Sequence, residues 1–164
     1  MARKILWAVV FASVFSSLMV GLAQAAPGVT AKAAIIMDAT TGEVLYAKDA
    51  ESRRYPASTT KMMTLLVALE KGQLDDWVVT SKAAHETEGS SLYLETGEKQ
   101  RLLDLLYGIM LVSGNDATVA VAEHIAGSVP AYASLMTRKA LAIGAVNTHF
   151  ANSSGLPDPN HYST

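Results

Sequence analysis

Every residue in the stretch 102–112 except Asp104 and Gly108 is apolar. A run of that length without a polar stripe predicts a helix buried on all sides. The rest of the chain must then supply elements to cover it. Ser113-Gly114-Asn115 interrupts the run. A second helix, rich in alanine and valine, is expected from Asp116 through Ala126, with Gly127 as its stop. A third, of moderate amphipathicity, is expected over residues 130–143, ended by Gly144.

The region ahead of these helices reads differently. Residues 33–38 form a short apolar run, Thr40-Thr41-Gly42 is a turn, and Val44-Leu45-Tyr46 is a second short strand, which together predict a β-hairpin. Residues 49–55 are polar and loop-like. Pro56 and Ala57 lead into Ser58, an N-cap or first-turn residue of a helix that carries Met62, Met63, Leu65, Leu66 and Leu69 and ends at Gly72. Val78-Val79-Thr80 is extended, residues 88–91 are a loop, and Thr96-Gly97-Glu98 is a turn. Thr148-His149-Phe150 is again extended, before a Gly/Pro/Asn loop over 153–160. Ser163 or Thr164 has the chemistry of one more helix N-cap, so the sequence reads as continuing past its last residue. No internal repeat or low-complexity segment is seen.

At 164 residues the chain is one domain by length. Its start is of another kind. Arg3 and Lys4 precede an apolar run over 5–22, and Ala23-Gln24-Ala25 is a small-residue processing site. Residues 1–25 are therefore expected to be a signal peptide cleaved after Ala25, which makes the protein exported. An uncleaved membrane anchor is the alternative, since the run is nearly long enough to span. Without Arg3 and Lys4, 11 basic and 15 acidic residues leave a net charge of −4. That mild balance shows no basic patch and argues against nucleic acid as a partner. With no cysteine there is neither a disulfide framework nor thiol catalysis.

Chemistry concentrates at two places. Of fourteen serines, only Ser58 has a lysine three residues on, Lys61. Residues i and i+3 share a helix face. A neutral lysine there could take the serine's proton, and burial among the apolar residues that follow would favour the neutral form. The first turn of the helix also leaves backbone N–H groups free at Ser58, suited to half of an oxyanion hole. An N-cap serine beside a solvated lysine fits the same spacing. The second place is Ser113-Gly114-Asn115, the chain's only S-x-N. By itself it is also a plain helix-to-helix turn. Between two apolar helices it would project a hydroxyl able to relay a proton and an amide able to hold a substrate carbonyl. There is no G-x-S-x-G elbow. The histidines His85, His124, His149 and His161 lack metal-ligand spacing and read as structural or surface residues, with no metal or other cofactor expected. Asp104 and Glu123 read as helix-face or capping charges.

S-x-x-K followed by S-x-N is part of the signature of penicillin-binding proteins and class A β-lactamases. The stretch Tyr55-Pro56-Ala57-Ser58-Thr59-Thr60-Lys61-Met62-Met63-Thr64 resembles the active-site segment of the D-alanyl-D-alanine carboxypeptidases, the low-molecular-mass penicillin-binding proteins. Leu105-Leu106-Tyr107-Gly108, Ser113-Gly114-Asn115-Asp116-Ala117, Gly89-Ser90-Ser91 and Gly155-Leu156-Pro157-Asp158 fit the same family. The resemblance covers residues 33–164. It implies an α+β fold of the β-lactamase/transpeptidase-like type, an antiparallel sheet flanked by helices with a helical subdomain. It implies a serine peptidase that removes the terminal D-alanine of peptidoglycan stem peptides ending in D-Ala-D-Ala through an acyl-enzyme, with β-lactam antibiotics as covalent inhibitors. Ser58 matches the nucleophile, Lys61 the base, Ser113 the proton-shuttling serine and Asn115 the asparagine that binds the substrate's amide. The third family element, K-T-G, has no counterpart in the sequence. Residues 26–164 thus read as an incomplete carboxypeptidase domain, lacking most sheet strands and expected to be inactive alone. Membrane association would come only through parts missing from this chain. An inactive wall-peptide-binding or structural module is the alternative. A class A β-lactamase is disfavoured by Gly114, where that class carries aspartate.

Overall fold

Small side chains decide which helix can lie in the middle of a bundle, because they let neighbouring backbones approach closely. The structure, a computed structural model, describes residues 28–164; the expected signal peptide and its cleavage site lie outside the described residues. The chain divides into two compact units, Met1–Lys48 and Asp49–Thr164.

In the first unit, β1 (Ala34–Met37) and β2 (Val44–Lys48) form the expected antiparallel hairpin, with Ala34 opposite Lys48 and Ile36 opposite Tyr46. Asp38 shapes the turn. Its Oδ1 accepts from the backbone N–H of Thr40 at 2.9 Å and of Thr41 at 2.7 Å. Gly42 supplies the positive φ of 75° that closes it.

In the second unit, a 3-10 turn (Ala57–Thr59) runs into α1 (Thr60–Lys71). Strand β3 (Trp77–Val79) pairs antiparallel with β4 (Lys99–Arg101), and between them lies α2 (Lys82–His85), capped by the Ser81 hydroxyl. Three helices follow, α3 (Leu102–Leu111), α4 (Asn115–Ala126) and α5 (Val129–Ala142). The architecture is α+β, as expected. Neither α2 nor β4 was predicted from the sequence. A single turn is too short to show a period, and Lys99-Gln100-Arg101 carries no apolar alternation.

The alanine-rich helix is the central one. α4 packs against α1, α2, α3, α5 and β3, and Ala117, Ala120, Val121 and Ala122 are all fully buried. Around it Leu102, Leu105, Ile109, Val67, Tyr132 and Met136 complete the core. The expectation that residues 102–112 are buried on every side is wrong. Leu102, Leu105, Leu106 and Ile109 face inward, but Tyr107, Met110, Leu111 and Val112 are exposed, Leu111 to 78%. The helix lies on one side of the bundle, and only the i, i+3, i+4, i+7 stripe finds neighbours.

Beyond α5 the chain folds back on the start of the unit. His149 bridges Tyr162, and Ser163 bridges Arg54. Ser163 is thus in an extended bridge, its hydroxyl bonded to Thr148 Oγ1 at 2.8 Å. No helix of the described residues is long and apolar enough to cross a membrane.

Candidate active site

A seam of buried polar groups runs where α1, α4 and the loop 150–161 meet: Thr60, Lys61, Thr64, Asn115, Thr118, Ser153, Ser154 and His161. Each described side-chain polar atom that is buried has a hydrogen-bond partner, which is what burial of such groups demands. Ser58 opens this seam to solvent.

Ser58 lies in the 3-10 turn ahead of α1. The N-cap position there is Pro56, and no side chain caps the turn, so the Ser58 hydroxyl is not spent on capping. Its Oγ accepts instead from Lys61 Nζ at 3.3 Å and from Ser113 Oγ at 2.9 Å. The residue before it, Ala57, has φ 48°, a conformation that L residues with a Cβ rarely adopt. Gly155 packs so closely on the Ala57 carbonyl that a Cβ at position 155 would overlap it. The turn is therefore held from outside, by the loop 152–156.

Lys61 is 2% exposed. Besides Ser58, its Nζ donates to Asn115 Oδ1 at 2.7 Å and to the Ser154 carbonyl at 2.8 Å. Among the described residues no carboxylate forms an ion pair with it. Burial pushes its pKa below the ordinary lysine value, because an ammonium out of water with only neutral acceptors is disfavoured. A solvated lysine is thus ruled out at this position. The loop carbonyl is aimed by Asn152, whose Oδ1 accepts from the N–H of Ser154 at 3.1 Å and of Gly155 at 2.8 Å.

Ser113 joins α3 to α4 with φ 62°, again a left-handed conformation. Asn115, 6% exposed, begins α4. One side-chain N–H donates to Glu88 O at 2.7 Å, and its own backbone N–H donates to Ser90 O at 2.7 Å. Much of its side chain is thus engaged within the protein, its Oδ1 by Lys61 and one N–H by Glu88 O, and among the described residues no further acceptor is seen for its second N–H. The structure brings Ser58, Lys61, Ser113 and Asn115 into one connected set.

The pattern matches known proteins. The family model described as D-alanyl-D-alanine carboxypeptidase covers residues 21–164. The chain belongs to this family. D-alanyl-D-alanine carboxypeptidase DacF of Bacillus subtilis is 44% identical over 139 residues, which are 82% of this chain and 36% of that protein. Among solved structures, the D-alanyl-D-alanine carboxypeptidase DacD of Francisella tularensis aligns with a TM-score of 0.80 at 42% identity, over 85% of this chain and 35% of the other. Penicillin binding protein 5 of Haemophilus influenzae aligns at 0.79 and 40% identity, over 84% and 42%. The chain therefore spans a little over a third of the length of the curated carboxypeptidase it matches.

Two participants in the geometry were missed in the sequence. The Ser154 carbonyl was invisible there because any residue carries one. Asp116 read only as a helix-opening residue, yet it is wholly buried and accepts four hydrogen bonds. The histidines fit their structural reading: His161 is buried against Thr60, with Nε2 2.7 Å from Oγ1. Among the described residues no group of three or more His, Cys, Asp or Glu could hold a metal ion. A separate apolar groove of about 520 Å³, lined by Met62, Met63, Leu66, Ile143 and Phe150, includes none of the four site residues.

Proposed function

We propose that the protein is an exported serine-type D-Ala-D-Ala carboxypeptidase acting on peptidoglycan stem pentapeptides. The single observation that carries the reading is the buried Lys61 amine, 3.3 Å from Ser58 Oγ and with only neutral oxygens for partners. In its neutral form Lys61 accepts the Ser58 proton as Oγ attacks the carbonyl of the penultimate D-alanine. The tetrahedral intermediate's oxyanion lies at the turn's start, where the Ser58 N–H precedes the first amide with an acceptor in that turn, Thr59 to Pro56 O. Ser113 Oγ, 2.9 Å from Ser58 Oγ, gives its proton to the leaving D-alanine nitrogen as the C–N bond breaks and is reprotonated by the Lys61 ammonium, which returns Lys61 to its neutral form. Water then releases the shortened peptide from the Ser58 ester. Asn115, with its remaining N–H, orients the substrate amide. A β-lactam would acylate the same Oγ by ring opening; the Haemophilus relative is named for binding penicillin.

The test uses the protein made from its complete reading frame. Fluorescent penicillin is expected to label Ser58, and a diacetyl-Lys-D-Ala-D-Ala peptide is expected to yield D-alanine. An adduct mapped to Ser113, or none on folded protein, would overturn the reading.

A further inference from the structure

Asp116 takes no part in the acyl transfer described above, yet its carboxylate is completely buried. Among the described residues no basic side chain pairs with it. Four donors converge on it. Oδ2 accepts from Ser91 Oγ at 2.7 Å and from Leu94 N at 3.1 Å, Leu92 N lies 3.0 Å from both oxygens, and Ala117 N is 2.8 Å from Oδ1. Burial pushes its carboxyl up, but the bonds from Leu92, Ser91, Leu94 and Ala117 outweigh it and hold the group below the usual carboxylate range. The group is an anion solvated by the loop 91–94.

What that loop does is visible at Leu92. Its side chain fills the space that a Cβ would take at Gly108 in α3 and at Gly114, the middle residue of Ser113-Gly114-Asn115. The neighbouring carbonyls of Glu88 and Ser90 accept from the Asn115 side chain and backbone. So the segment 88–92 wraps the corner between α3 and α4, and Asp116, the next residue along, ties the segment back. The corner needs such a tie. Ser113 sits at φ 62°, and a non-glycine residue keeps that conformation only where its surroundings over-determine it. Tyr93, between the two clamped amides, has φ 60° for the same reason.

We propose that Asp116 is a positioning residue for the acyl transfer: by clamping residues 91–94 it seats Leu92 on Gly114 and thereby fixes Ser113 Oγ and Asn115 Oδ1 against Ser58 and Lys61. The proposal rests on the function proposed above. A carboxylate is needed because its two oxygens can accept all four donors. The amide of an asparagine offers one oxygen and turns N–H groups toward other N–H groups.

The test compares Asp116→Asn, Leu92→Ala and Leu92→Met in the protein from its complete reading frame. Each is measured for cooperative melting, rate of Ser58 acylation by fluorescent penicillin, the pH profile of that rate, and hydrogen exchange of the Asn115 amide. Asp116→Asn and Leu92→Ala are each expected to slow acylation ~10–100-fold while still folded, since misplacement of about 1 Å costs rates of that order. They are also expected to move the pH limb set by Lys61 and to speed Asn115 exchange. Leu92→Met, which keeps the volume, is expected to restore all three. A folded Asp116→Asn or Leu92→Ala protein that acylates within about twofold of the parent overturns the proposal. If Asp116→Asn does not fold, Leu92→Ala decides by the same criterion. If the parent itself is not labelled, the proposed function fails, and unchanged Asn115 exchange in the variants then overturns the clamp separately.

Discussion

Lys61 shows how much of a site can rest on one side chain's surroundings. A buried ammonium facing a hydroxyl, an amide oxygen and a carbonyl has no countercharge, so burial lowers its pKa. The reactive form is the unprotonated one. The acylation rate is therefore expected to rise with pH along a limb that lies below the ordinary lysine value of 10.5. Stopped-flow acylation across pH checks this, and a pH-independent rate would count against Lys61 as the base. Lys61→Arg keeps the charge and removes the base, because arginine does not deprotonate in proteins. Acylation should fall ~10²–10⁴-fold with the limb abolished. Ser113→Ala, which deletes the second hydroxyl on Ser58 Oγ, should fall in the same range, measured as D-alanine release.

The helices divide into those whose faces are decided by composition and those decided by place. α4 can be central because Ala117, Ala120 and Ala122 leave room for five neighbouring elements. Enlarging one of them should strain all of these contacts. Ala120→Leu is expected to destabilise by ~1–3 kcal/mol in urea unfolding. α3 makes the opposite point, since apolar residues occupy both its faces and only one is covered. Leu105→Ala, on the covered face, should cost ~2–5 kcal/mol. Leu111→Lys, on the exposed face, should stay within about 0.5 kcal/mol of the parent. Equal losses would restore the idea of a helix buried all round.

Across the Asp49–Thr164 unit, His161 ties three distant parts of the chain. Its Nδ1 accepts from Ala151 N at 3.1 Å, which puts the neutral ring's proton on Nε2, facing Thr60 Oγ1 at 2.7 Å. Protonation would set an N–H of the ring against the Ala151 N–H. Burial pushes the His161 pKa below its usual value; Asp158 raises it and His149 lowers it further. A folded pKa below the unfolded value of 6.5 means that the unfolded chain binds the proton more readily. The His161 contribution is then fully present above that pH and is lost as pH falls through 6.5 toward the folded value. Urea midpoints between neutral pH and pH about 5 should therefore fall more steeply in the parent than in His161→Asn. Parallel slopes would remove His161 from the account.

What the sequence determined by itself is local. The turn at Thr40-Thr41-Gly42, the stops at Gly127 and Gly144, and the pairing of Ser58 with Lys61 all follow from backbone sterics and helical spacing within a few residues. The α+β class and the family were legible too, because the motifs keep residue types at fixed offsets. Tertiary structure alone decided the rest. Asn115 and Ser154 reach Lys61 from 54 and 93 residues away, and no spacing rule extends that far. The same holds for the exposed face of α3 and for the Asp116 clamp on residues 91–94. Apolarity says that a surface favours cover, and a carboxylate that it favours donors, but which neighbours supply them depends on how the elements pack.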